Sequence, residues 1–194
     1  MRTSVTLALD QLRALLLQAP ALVAGYQRGD PEFADAVMAW LTHAEAALQK
    51  FSVSRVAAIA ALKARLLAAH SGVLENAFVS VVGAPRARRK THMAIAALLF
   101  NQGQEILGRL YEGLNSQREE ALKYLRQMVM LMEQQGVIPS TDGTDHSQAL
   151  ARLFATMRAN PSSATAARHV LAQVNYADAL RLLDETLSEW DLRP

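Results

Sequence analysis

Apolar residues return every three or four positions along most of this chain, and that spacing limits the fold more than any other feature. An α-helix places such positions on one stripe, and the stripe must be buried against another element. Leu9, Leu12, Leu15 and Leu16 form one stripe; Phe33, Val37, Trp40, Leu41, Ala44 and Leu48 form the next; Val56, Ile59, Leu62, Leu66, Val73, Leu74 and Phe78 continue in the same way. The run Phe78-Val79-Ser80-Val81-Val82 has strand-forming residues, but no second strand pattern exists to pair with it, so it is read as helix. The expected fold class is all-α. A multi-helix bundle over residues 1–138 carries a smaller C-terminal three-helix lobe over 145–194 packed on it, with about nine helices in all.

Stop and start signals divide the stripes. Residues 1–18 read as one amphipathic helix and Pro20 as the first turn of a short second one. Asp30-Pro31-Glu32 reads as a helix start, with Asp30 capping, Pro31 in the first position and Glu32 facing the positive end of the dipole. Ser52 or Ser54 caps the next helix, expected to run to Gly83 with Pro85 beyond it. A further helix runs from about Ala87 to Gly113. Asn115 and the capping box Ser116–Glu119 then start another, which ends at Gly136. Residues 137–144, with Pro139 and Gly143, are the linker. The last three helices start near Asp145, near Asn160 to Ser162, and at Asn175 with Asp178 in its first turn. Gly103 and Gly108 fall inside a helical pattern, where Gly costs about 1 kcal/mol against Ala. Close helix crossing at Gly103 would offset that. Met128 and Met132 share a face with Leu125 and are expected in the core, while Met130 falls on another face. Trp190 is expected to clamp the C-terminus onto the bundle.

Composition narrows the function. The 194 residues contain no Cys, which excludes a disulfide scaffold, a thiolate metal site and a cysteine nucleophile. With Gly counted and Tyr left out, about 54% of the chain is apolar, above the roughly 45–50% of ordinary soluble domains, so most of it is not disordered. The formal charge is only +2, which leaves attraction to nucleic acid to local patches. Asp10 and Arg13 interrupt the apolar N-terminal stretch, and the uncharged run 14–27 is short for a bilayer. A cytoplasmic protein without a membrane partner is the expectation.

The sharpest local feature is Arg86, Arg88, Arg89 and Lys90, four cations in five residues at an expected helix N-terminus. Free backbone N–H groups and clustered cations make an anion site there, most plainly for an RNA or DNA backbone. No aromatic residue is interleaved in the run to stack bases. Arg86-x5-His92 resembles the Arg-x(4–6)-His motif of the HEPN ribonucleases, all-α proteins that pair two such motifs across a homodimer. Arg65-x4-His70 also falls within the motif's range of spacings. That resemblance covers seven residues, and Ala87 stands where the family usually has a polar residue. It implies His92 as general base and Arg86 as the stabiliser of phosphorane charge.

Other chemistry is thin. Neither Glu-x-x-His nor His-Glu-x-x-His occurs, so carboxylate-bridged iron and zinc-protease sites are not expected. Asp142, Asp145 and His146 lie close in sequence, but Asp142 reads as a turn residue and Asp145 as a cap. Glu119-Glu120 and Asp184-Glu185 are sequence neighbours that do not share a helix face, so neither makes a proton-sharing pair. The C-terminal helices have a helix-turn-helix outline. Asp178, Asp184, Glu185 and Glu189 against Arg181 alone would repel DNA. No cofactor and no metal are expected. The leading expectation is a non-enzymatic interaction or adaptor subunit that binds itself or a protein partner. Nucleic-acid backbone binding through Arg86, Arg88, Arg89 and Lys90 comes second, and a metal-independent ribonuclease third.

Overall fold

A computed structural model describes residues 3–51, 53–71, 85–136 and 145–189, with side chains at 53, 54 and 85–88 outside the description. Among the described residues the chain is all-α, without a strand. The eight helices are α1 (Val5–Leu16), α2 (Ala19–Gln27), α3 (Phe33–Leu48), α4 (Val53–His70), α5 (Pro85–Gln134), α6 (His146–Ala159), α7 (Ala164–Gln173) and α8 (Tyr176–Glu189). Close packing divides the chain into one unit of residues 8–112 and another of residues 1–7 with 113–194. Val73, Leu74, the strand-like run at 78–82, Gly83, the 137–144 linker, Asp142 and Trp190 lie outside the described residues.

In the 8–112 unit the core is built from the predicted stripes. Leu12 and Leu15 of α1, Val37, Trp40, Leu41 and Leu48 of α3, Ile59 and Leu66 of α4, and Leu99 and Phe100 of α5 are all buried. Trp40 fixes the centre. Its indole N–H donates to the Leu15 carbonyl at 3.0 Å, and its ring stands edge-on to Phe100 at 4.9 Å between centroids. Gly103 explains how α5 comes so near to α3: a Cβ there would lie 2.8 Å from the Trp40 ring and 3.2 Å from a Leu41 methyl. Close crossing is thus what keeps Gly in this helix. No such contact exists at Gly108.

Three helix boundaries differ from the sequence reading. The helix expected to run to Gly83 ends at His70, with Ser71 in a turn. The helix expected at Pro31 begins at Phe33, because Asp30 caps a preceding turn instead: its carboxylate accepts the Glu32 N–H at 2.9 Å, and its carbonyl accepts the Phe33 N–H at 3.2 Å. The expected stop at Gly113 and restart at Ser116 do not occur, and α5 runs through both. One common stop is a residue that turns the backbone left-handed. Gly136 does so, at φ 65°, whereas Gly113 is not among the positive-φ glycines. Without that turn, ending one helix and starting another would orphan backbone groups at both ends and require a new nucleus.

In the other unit, Leu122, Leu125, Met128 and Met132 of α5 are buried with Leu153, Phe154, Val170, Leu182 and Leu183, while Met130 is exposed as its spacing predicts. Asp145 caps α6 by accepting the Ser147 N–H, and the Asn175 side chain caps α8 by accepting the Asp178 N–H at 2.8 Å. Asp178 does more than face the helix dipole. Only 3% exposed, its carboxylate accepts the Ser4 hydroxyl, the Val5 N–H and the Thr6 hydroxyl, each at 2.6 Å. The start of α1 is therefore fastened to α8 by three hydrogen bonds to one buried carboxylate.

The segment Val5–Gln27 is long and apolar enough, by length and composition alone, to cross a membrane; core helices and signal sequences pass the same measure. Here it forms α1 and α2, and Leu9, Leu12, Leu15 and Ala19 are buried.

Candidate functional site

The basic run begins α5. Pro85 takes the first position, where its missing N–H costs nothing, and the four cations fall within the first two turns. Side chains of Arg86 and Arg88 lie outside the description. Arg89 and Lys90 are exposed, and neither forms an ion pair with a described residue. Together with Met93 they line a cleft of about 610 Å³ whose opposite wall is Tyr26, Gln27 and Gly29.

That wall is shaped by the end of α2. Gly29 stands at φ 68°, donating its N–H to the Tyr26 carbonyl at 2.9 Å, while the Asp30 N–H reaches the Gly25 carbonyl at 3.0 Å. These two bonds make a left-handed helix cap, which only Gly adopts without strain. The cap turns the chain immediately after Tyr26. Its ring is 42% exposed and rests at 5.2 Å, tilted, on the buried Phe33. An aromatic side chain of α2 therefore lines the same cleft as Arg89 and Lys90.

His92 sits one residue before Met93 and is half-buried. Its ring meets His70 edge-on at 5.2 Å, so the histidines of the two Arg-x-His spacings come together. Its Nε2 is buried without a hydrogen-bond partner. Desolvation first, and then His70, lower its pKa below the usual 6.5, against an opposing pull from Asp35. His92 is therefore neutral at pH 7, with Nε2 turned away from solvent. Arg65, the arginine of the second spacing, donates to Gln102 at 3.2 Å.

The remaining candidates are tied up structurally. His146 pairs with Asp184 at 2.9 Å, Glu185 and Glu119 both pair with Arg118, and His169 stacks on Tyr124 at 5.0 Å. No three ligating side chains converge among the described residues. Sequence reasoning missed Tyr26 and Asp178. Of the cleft, the sequence singled out only its basic side, Arg89 and Lys90.

No family model matches the chain, no curated protein matches it in sequence, and no solved structure matches it significantly.

Proposed function

We propose that this chain is a non-enzymatic, all-α interaction subunit of the cytoplasm that associates with a second copy of itself or with a protein partner. One observation carries the reading. Leu67 on α4 is 54% exposed and Leu98 on α5 is 42% exposed. The Arg65–Gln102 bond and the His70–His92 contact fix α4 and α5 as antiparallel neighbours. Leu67 lies between Arg65 and His70, and Leu98 between His92 and Gln102, so both fall on the same stretch of that pair. Large apolar side chains left in solvent are stabilised when a second chain covers them. Leu9, Leu12 and Leu15 of α1 are buried in the core, which favours a core helix over a membrane span.

Light scattering tests it. The full chain should run as a dimer, and Leu67→Glu with Leu98→Glu should return it to a monomer with unchanged helical circular dichroism. A wild-type chain that stays monomeric at its highest soluble concentration would overturn the reading.

A second reading, capture of a nucleic-acid backbone by Arg86, Arg88, Arg89 and Lys90, draws support from the placement on a cleft of Arg89 and Lys90, exposed and without an ion pair among the described residues. Its test is a salt titration of oligonucleotide binding, with loss on charge reversal of the four residues. The ribonuclease reading of Arg86 and His92 ranks below both, because the His92 Nε2 is buried; RNA cleavage abolished by His92→Ala would raise it.

A further inference from the structure

We propose that the cleft between α2 and the first turns of α5 binds one nucleoside 5′-phosphate unit, with the base on Tyr26 and the phosphate on Arg89 and Lys90. This deepens the second reading above and rests on it. A volume of about 610 Å³ lies in the usual range for small-ligand sites, roughly 300–1,000 Å³. The two cations face the cleft with no carboxylate partner among the described residues. Asp30, the acid next to Gly29, is engaged with the Glu32 N–H. Tyr26 offers an exposed aromatic surface held by Phe33, and base stacking on such a ring tolerates any base. The Gln27 side-chain amide can both donate to and accept from a base edge. Gly29 has open space where a Cβ would project, so backbone and ligand can approach closely. Met93 adds a polarisable apolar floor. A bare phosphate site would need none of the aromatic, amide and thioether groups.

The unit can come from a free nucleotide or from a single strand, and the probes separate them. Uridine 5′-monophosphate, inorganic phosphate and a labelled short oligouridine are titrated onto the full chain at low salt, by calorimetry and fluorescence anisotropy. Uridine monophosphate binding well above phosphate assigns the free nucleotide; binding of oligouridine alone assigns the strand; both outcomes support the site. Tyr26→Ala should weaken the bound probe roughly 5- to 150-fold, the worth of one stacked base, and Tyr26→Phe should preserve binding. Arg89→Glu with Lys90→Glu, both on the surface and harmless to folding, should abolish it. For oligouridine, replacing both with Ala should flatten the salt slope by about 1.4. Phosphate binding as tightly as uridine monophosphate would overturn the proposal. So would binding that survives Tyr26→Ala but is lost on charge reversal, which leaves the backbone reading intact. No binding of any probe at low salt would remove both.

Discussion

Replacing Gly103 with Ala separates the packing account from simple helix propensity. In an open helix interior, Gly→Ala gains about 1 kcal/mol. At Gly103 the new methyl would lie 2.8 Å from Cζ3 of Trp40 and 3.2 Å from Cδ2 of Leu41, closer than carbon atoms tolerate. Trp40 cannot easily withdraw: it is buried, its indole N–H is bonded to the Leu15 carbonyl, and Phe100 stands against its edge. Overpacking of this kind costs roughly 1–3 kcal/mol, which cancels the propensity gain and leaves a net loss of up to about 2 kcal/mol. With an m-value of about 2 kcal/mol/M, the urea midpoint followed by circular dichroism should fall, by up to about 1 M. Gly108→Ala, where a Cβ meets nothing within 4 Å, is the internal control and should raise the midpoint. Combining Gly103→Ala with Trp40→Phe should cost less than the two changes summed, because the smaller ring vacates the space. An equal rise in stability for Gly103→Ala and Gly108→Ala would refute the close crossing of α3 and α5.

Three further outcomes follow from the same structure. Asp178→Ala should destabilise the protein by about 2–4 kcal/mol in urea titration, since the buried Val5 N–H and Thr6 hydroxyl lose their acceptor, while Asp184→Ala on the surface should cost under about 1 kcal/mol. His92 holds a proton less readily when folded than its ordinary 6.5, through desolvation and then His70. The unfolded chain therefore takes up the extra proton first as pH falls, and this contribution to stability is complete above about pH 6.5 and lost below it; His92→Gln should flatten the decline measured between about pH 7.5 and 5.5. Arg126→Ala, which breaks an exposed pair with Glu189, should shift the melting temperature by no more than a few degrees.

Much of the fold was legible in the sequence because helical burial is a local pattern. Leu12, Trp40, Leu66, Leu125 and Met132 are buried where their spacing puts them, and Asp145 and Asn175 cap as short polar residues before apolar runs do. The α5 continuity was not legible, since Gly113, Asn115 and Ser116 carry the signals of a stop and only their backbone angles reveal that none occurs. From sequence Asp178 is only an acid in the first turn of the last helix, because its partners, Ser4 to Thr6, lie more than 170 positions away. Of the cleft, the sequence offered Arg89 and Lys90 but not Tyr26, which a left-handed turn at Gly29 brings opposite them.

Hydroxyl-radical footprinting of the full chain across a dilution series tests the association surface most directly. Leu67 and Leu98 should be modified readily in dilute solution and become protected as concentration rises, with exposed Met130 of the other unit as the reference for reactivity. Leu67 and Leu98 modified to the same extent at every concentration would contradict the account.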